Sequence, residues 1–132
     1  LRSGQPSLMK EMVRGKLGEV TAETVVRAAR DGDHLARRVI AEVSSYLAMG
    51  IANIVSILNP GMVVLGGGLF RAGDLLLKPV KKEFRKWAQP LAARKVRIAL
   101  TALGEDAGLC GAGRLAWLSV GQGKFADRPE LW

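Results

Sequence analysis

The feature that most constrains the fold is a long apolar segment that ends abruptly in a turn. Between residues 34 and 58, apolar side chains recur at steps of three and four, which is the spacing of one helix face. Asp33 is a suitable N-cap, and Asn59-Pro60-Gly61 ends the helix by turn chemistry and by loss of a backbone donor. We therefore predict one helix over residues 34–58 with a continuous buried stripe. The stripe comprises Leu35, Val39, Val43, Leu47, Ile51, Ile54 and Leu58, widened by Ala36, Ile40, Ala48, Ala52 and Val55.

A short apolar strand and three glycines follow this helix. Residues 62–65 are continuously apolar, which is typical of a strand buried on both faces. Gly66, Gly67 and Gly68 then allow the backbone to approach a ligand, since no Cβ atom intervenes, at the end of a strand where α/β proteins usually bind. A glycine run without a following Lys-Ser/Thr is a weak phosphate signal. The residues alone therefore leave open both a ligand-binding loop and a ligand-free turn.

The other segments continue an alternation of helices and strands, which predicts an α/β layer with parallel strands. Two strands are too few for helices this apolar, so the chain needs strands that it does not supply. The remaining predicted elements are a short helix within residues 7–13, a helix from Thr21 to about residue 31, a helix from residue 74 to about 88 that Pro79 should kink or restart, a strand over 96–100, a helix over 105–119 and an irregular tail from 121 to 132.

The last predicted helix contains Gly108, Gly111 and Gly113. Each glycine costs roughly 0.5–1 kcal/mol relative to alanine inside a helix. We therefore expect another helix or a ligand to lie very close to this helix.

Basic residues outnumber acidic ones, 20 to 12, which favours an anionic partner without identifying it. One hypothesis is a nucleic-acid-binding module, although a solvated basic face is the simpler account because Phe84 and Trp87 fall on the apolar stripe of their helix. The basic residues in question are Lys78, Lys81, Lys82, Arg85, Lys86, Arg94, Lys95 and Arg97.

The single cysteine, Cys110, excludes an internal disulfide and a cysteine-based zinc cluster, and it favours a reducing cytoplasm. We expect Cys110 to be buried and His34, the only histidine, to lie on the surface. No secretion signal and no apolar run approaching 18 residues is evident, so no membrane span is predicted. The first residue is Leu1, from which we expect that upstream sequence is missing.

Four blocks, in order and at consistent spacing, resemble the core of the ROK family of sugar kinases and sugar-responsive repressors. They are GIANIVSILNP at residues 50–60, VVLGGGL at 63–69, AGDLLLKPV at 72–80 and ALGEDAGLCGA at 102–112. The resemblance covers about residues 21–119. It implies a single domain over 1–132 that forms part of the C-terminal lobe of the actin-like, ribonuclease H-like sugar kinase fold, helix-rich with few parallel strands.

The resemblance also implies roles for two sets of residues. Gly66, Gly67, Gly68 and Leu69 would lie against the nucleotide. Gly104, Ala107, Gly108 and Gly111 would allow close packing at the hinge between the lobes. The family's phosphate loop, catalytic Asp and zinc segment have no match here, so we expect no catalytic residue and no metal ligand in this chain.

The resemblance implies two functions for the intact protein. One is a glucokinase-like sugar kinase that uses ATP with Mg²⁺, of which this chain alone would be inactive. The other is a transcriptional repressor that senses sugar and dimerises through this lobe. Expected partners are the missing N-terminal part, a second copy through residues 34–58, a sugar substrate or inducer, and DNA only for a repressor.

Overall fold

The computed structural model describes residues 6–120, except for the side chains of Leu69, Phe70, Glu105, Ser119 and Val120. The irregular tail predicted over residues 121–132 lies outside this part. Six α-helices and two strands are described, in the predicted order but with one extra short helix. They are α1 (Leu8–Met12), α2 (Ala22–Arg30), α3 (His34–Leu58), β1 (Met62–Leu65), α4 (Asp74–Trp87), α5 (Pro90–Lys95), β2 (Arg97–Leu100) and α6 (Ala107–Val120), with 3₁₀ turns at Leu17–Glu19, Gly68–Ala72 and Gly104–Asp106.

The long helix α3 is the centre of the core and packs chiefly against α4 and α2. Its predicted bounds are confirmed, and Asn59 ends it in a left-handed conformation with φ 43°. The predicted buried stripe is wrong at its C-terminal end, because Ile54 is 50% exposed and Leu58 is 70% exposed. Ile51 and all five residues expected to widen the stripe are buried, as predicted. Small side chains let the neighbouring helices approach closely, so the buried line runs through Ala36, Ile40, Ser44, Ala48, Ile51, Ala52 and Val55.

The two strands form a parallel pair, with Val63 opposite Ile98 and Leu65 opposite Leu100. These four side chains face the core, since Ile98 is buried and the others pack against the buried cluster. On the opposite face, Val64 is 58% exposed. The prediction that the first strand is buried on both faces is therefore wrong for this chain, because none of the described elements covers its second face.

Helix α4 crosses over from β1 towards β2 and runs unbroken through Pro79. Of the predicted kink or restart at Pro79, the restart is wrong, and the kink remains a prediction. Packing of the helix against α3 compensates for the one missing backbone donor. Trp87 was expected in the core but is 53% exposed, since it lies at the last turn, where the apolar face ends. Pro90 then begins α5, which the sequence analysis did not predict, at the helix position that tolerates proline. The buried residues of α4 are Leu76, Leu77, Val80 and Phe84.

Asp33 joins two helices through one buried carboxylate. Its Oδ1 accepts from the Ala36 backbone N–H at 2.7 Å and so caps α3. Its Oδ2 accepts from the Ser7 hydroxyl at 2.7 Å and from the Leu8 backbone N–H at 2.6 Å, at the start of α1. Burial acts to raise the pKa of Asp33, but the hydrogen bonds from Ala36, Ser7 and Leu8 outweigh it, so the pKa lies below its usual value.

By length and mean hydropathy, α3 could cross a membrane, which differs from the expectation that no such segment exists. These two properties are weak evidence, since a core helix of a soluble protein meets the same criteria. In this structure α3 contributes six residues to the hydrophobic core shared with its neighbours.

Candidate functional site

The carboxyl ends of both strands meet at one edge of the sheet and border a cavity of about 490 Å³. The 3₁₀ turn Gly68–Ala72 carries the chain away from β1, and Thr101 follows β2 directly. This edge is the usual binding place in parallel α/β structures. We call this space the glycine cavity; its lining comprises Leu65, Gly66, Gly67, Gly68, Arg71, Leu100, Thr101 and Gly104.

Gly66, Gly67 and Gly68 differ in how a larger residue at each position would affect the structure. Gly67 has φ +89°, where a larger residue is strained. A Cβ atom on Gly66 would lie 3.2 Å from Cγ2 of Thr101. Gly68 has an ordinary backbone conformation and open space around its Cα among the described atoms. The glycine cavity therefore depends on small residues for two reasons: the path of the backbone at Gly66 and Gly67, and room for a ligand at Gly68.

Two polar side chains line the glycine cavity, and the sequence analysis missed both. Arg71 provides a permanent positive charge. The Thr101 hydroxyl accepts a hydrogen bond from the Leu103 backbone N–H at 3.2 Å, which leaves its proton available for another acceptor. The position of Thr101, directly after the second strand, could have identified it. Together these groups suit an anionic or hydroxyl-bearing ligand.

The described lining of the glycine cavity contains no carboxylate and no imidazole. Within residues 6–120, as far as their side chains are described, no group of three His, Cys, Asp or Glu residues could hold a metal ion. Proton transfer from a hydroxyl needs a base within hydrogen-bond reach. The described lining of the glycine cavity therefore offers no group for general base catalysis.

A second groove, of about 270 Å³, adjoins the first and shares Gly68 and Arg71 with it. Helix α2 forms its other wall and contributes two further arginines, Arg27 and Arg30. We call this space the arginine groove; its lining comprises Ala22, Glu23, Val26, Arg27, Arg30, Gly68, Arg71 and Ala72.

The predicted nucleotide-binding residues and the predicted hinge residues differ in whether they line the glycine cavity. Gly66, Gly67 and Gly68 all line the glycine cavity, whereas Leu69 lies in the adjoining 3₁₀ turn and its side chain is outside the described part. Of the predicted hinge residues, Gly104 lines the cavity, and Ala107, Gly108 and Gly111 lie along α6 without lining it.

Helix α6 is exposed over most of its length, which bears on the predicted burial of Cys110 and on the predicted hinge role of its glycines. Cys110 is exposed, so its predicted burial is wrong. No described atom outside the helix lies within 4 Å of a Cβ built on Gly108, Gly111 or Gly113. The close neighbour expected for these glycines is therefore absent from the described residues, and their hinge role remains a prediction. His34 is exposed, as predicted.

Comparison with known proteins agrees with this architecture. Residues 3–118 match the ROK family. A glucokinase from Halalkalibacterium halodurans is 42% identical over 103 residues, which cover 78% of this chain and 30% of that protein. The chain therefore belongs to the ROK family, and it spans about a third of the length of this relative.

Solved structures define the fold. A ROK family glucokinase from Streptomyces griseus, in complex with glucose and AMPPNP, superposes with a TM-score of 0.73 at 30% identity, covering 81% of this chain and 35% of that one. A ROK family transcriptional regulator, a homolog of the E. coli MLC protein, superposes with a TM-score of 0.64 at 26% identity, covering 75% of this chain and 24% of that one. The expected fold class, a helix-rich portion of the actin-like sugar kinase fold with two parallel strands, is confirmed.

Proposed function

We propose that this chain is the nucleotide-side part of the C-terminal lobe of a ROK sugar kinase. The observation that carries the proposal is the glycine cavity at the carboxyl edge of the parallel strands. The backbone of Gly66, Gly67 and Gly68 would lie against the nucleotide, with the Arg71 guanidinium and the Thr101 hydroxyl as polar contacts. The intact protein would transfer phosphate from ATP to a hexose such as glucose.

Two features support a division of labour between this chain and the rest of the protein. The described lining of the glycine cavity holds no base, although phosphoryl transfer to a sugar needs one to accept the proton of the hydroxyl. It also holds no carboxylate for Mg²⁺, which is usually bound through phosphates, water and one or two carboxylates. We therefore propose that the catalytic Asp, the sugar contacts and the Mg²⁺ ligands lie in the other part, and that this chain alone is inactive.

The second candidate is the sugar-sensing and dimerisation part of a ROK repressor, which the similarity to a ROK transcriptional regulator favours. The gene sequence upstream of residue 1 distinguishes the two candidates. A winged helix followed by a sugar-binding lobe would identify a repressor. A phosphate loop and a catalytic Asp would identify a kinase.

The proposal extends to the cellular location and the oligomeric state of the intact protein. The intact protein would be cytoplasmic, would not enter a membrane, and would dimerise through α3, which exposes Tyr46 and Ile57 on the side away from the core. Sedimentation of the chain at high micromolar concentration tests dimerisation, and a monomer there would contradict it.

Nucleotide binding provides the direct test of the glycine cavity. We expect Gly68→Val to weaken AMPPNP binding at least tenfold in calorimetric titrations, because the new side chain would project into the cavity. The fold should remain intact, since Gly68 has open space and an ordinary φ.

The matched control is Gly61→Val. Gly61 also has open space and an ordinary φ, but it precedes β1 and does not line the cavity. We expect this variant to bind AMPPNP as tightly as the original chain. Undetectable binding by the original chain, or equal loss in both variants, would contradict the proposed nucleotide site.

A further inference from the structure

The arginine groove concentrates positive charge in one concave space. Arg27 and Arg30 lie three residues apart on α2, and Arg71 comes from the 3₁₀ turn that follows β1. Two separate elements therefore bring three guanidinium groups to one groove. The remaining wall is largely aliphatic, formed by Ala22, Val26 and Ala72.

One carboxylate, Glu23, offsets only part of this charge. Hydrogen bonds from its own backbone and from Thr21, followed by the charge of Arg71, hold the pKa of Glu23 below its usual value, so it is ionised at neutral pH. Among the described residues, Arg27 and Arg30 form no ion pair. Three guanidinium groups and one carboxylate leave the lining of the groove with a net charge of +2.

Like charges in a shared concavity repel one another. An anion placed between them would relieve this repulsion. Guanidinium groups match phosphate best, since their planar donors form paired, charge-assisted hydrogen bonds with its oxygens.

We propose that the arginine groove is a phosphate-binding subsite, with Arg27, Arg30 and Arg71 as its ligands, distinct from the glycine cavity that it adjoins. Two sources present this chemistry. One is the phosphate chain of a nucleotide whose remainder occupies the glycine cavity, and the other is a separate phosphate ester. A nucleotide that occupies both spaces would pass Gly68 and Arg71, the residues that the two spaces share.

Titration of the full 132-residue chain with inorganic pyrophosphate tests the subsite. We expect binding that weakens as NaCl rises from low to physiological concentration, and an affinity at least tenfold lower in the double variant Arg27→Gln/Arg30→Gln. Both arginines are exposed on one face of a helix and glutamine is a good helix former, so the variant should fold normally. Circular dichroism and the thermal midpoint would check this.

Arg38→Gln is the matched control, because Arg38 is also exposed on a helix but lines neither space. It should bind pyrophosphate as the original chain does. Absence of pyrophosphate binding by the original chain, or equal weakening in the control, would overturn the proposal. So would a double variant that loses adenosine but retains pyrophosphate, because the groove would then hold a base.

Competition identifies the source of the phosphate. If ATP displaces pyrophosphate and the double variant weakens ATP, the subsite serves the nucleotide. If ATP and pyrophosphate bind together, it serves a separate ester. The nucleotide source rests on the proposed function, but the subsite itself does not, since AMPPNP binding and pyrophosphate binding by the original chain are measured separately.

Discussion

Asp33→Ala should lower the free energy of unfolding by about 2–4 kcal/mol, because it removes a helix N-cap and also leaves buried donors without an acceptor. Asp33 is 7% exposed, and its carboxylate serves the Ala36 N–H, the Ser7 hydroxyl and the Leu8 N–H together. Urea unfolding at pH 7 measures the loss. Asp31→Ala is the control: Asp31 is exposed just after α2, and its replacement should change stability by less than about 0.5 kcal/mol.

The difference in the free energy of unfolding between the original chain and Asp33→Ala should depend on pH, because the pKa of Asp33 differs between the folded and unfolded chain. Its pKa is lowered in the folded chain, while an unfolded Asp titrates near about 3.9. The stabilisation is therefore complete above the unfolded pKa and is lost as the pH falls through the folded pKa. We expect the gap between the original chain and Asp33→Ala to stay constant from pH 7 to 5 and to shrink below about pH 4. A gap that widens on acidification would contradict the assigned hydrogen bonds.

The second large effect is expected for Leu76→Ala in α4. Leu76 is 1% exposed and belongs to the core between α4 and α3. Removing its branched side chain should cost about 2–5 kcal/mol, since transfer energy is lost and a cavity remains. That is a large fraction of the stability of a small domain.

Leu91→Ala makes the same chemical change at a side chain that is 68% exposed. We expect it to alter stability by less than about 0.5 kcal/mol in the same urea series. Because α4 follows the 3₁₀ turn that carries Arg71, Leu76→Ala should also weaken AMPPNP binding, while Leu91→Ala should not. Similar losses of stability in the two variants would show that α4 does not pack as described.

Element order could be predicted because local signals are strong in this chain. Asp33 and Asn59 bracket α3, Thr21 caps α2, and the apolar run before Gly66 forms a strand. Periodicity specifies that a helix has an apolar face, but several lines on α3 are apolar. The face of α3 that packs against its neighbours is the one whose side chains are small enough for close approach. Alanines at 36, 48 and 52 allow a closer approach than valine or leucine would.

Of the candidate site, the glycine triplet could be predicted from the sequence but the arginine cluster could not. The glycine triplet is contiguous and follows a strand, so sequence alone places it at a sheet edge. Arg27, Arg30 and Arg71 are separated by up to 44 positions and meet only because α2 and the turn after β1 are neighbours in space. Neither helical spacing nor composition contains that information.

Helix α6 has a practical consequence for experiments on this chain. Its exposed Cys110 is the only thiol in the sequence, so a maleimide dye would attach at a single known position without any mutagenesis. That position lies on the element predicted to flank the hinge between lobes. A fluorophore there, paired with a second label in the intact protein after any further cysteines are replaced, would test whether the predicted hinge opens and closes.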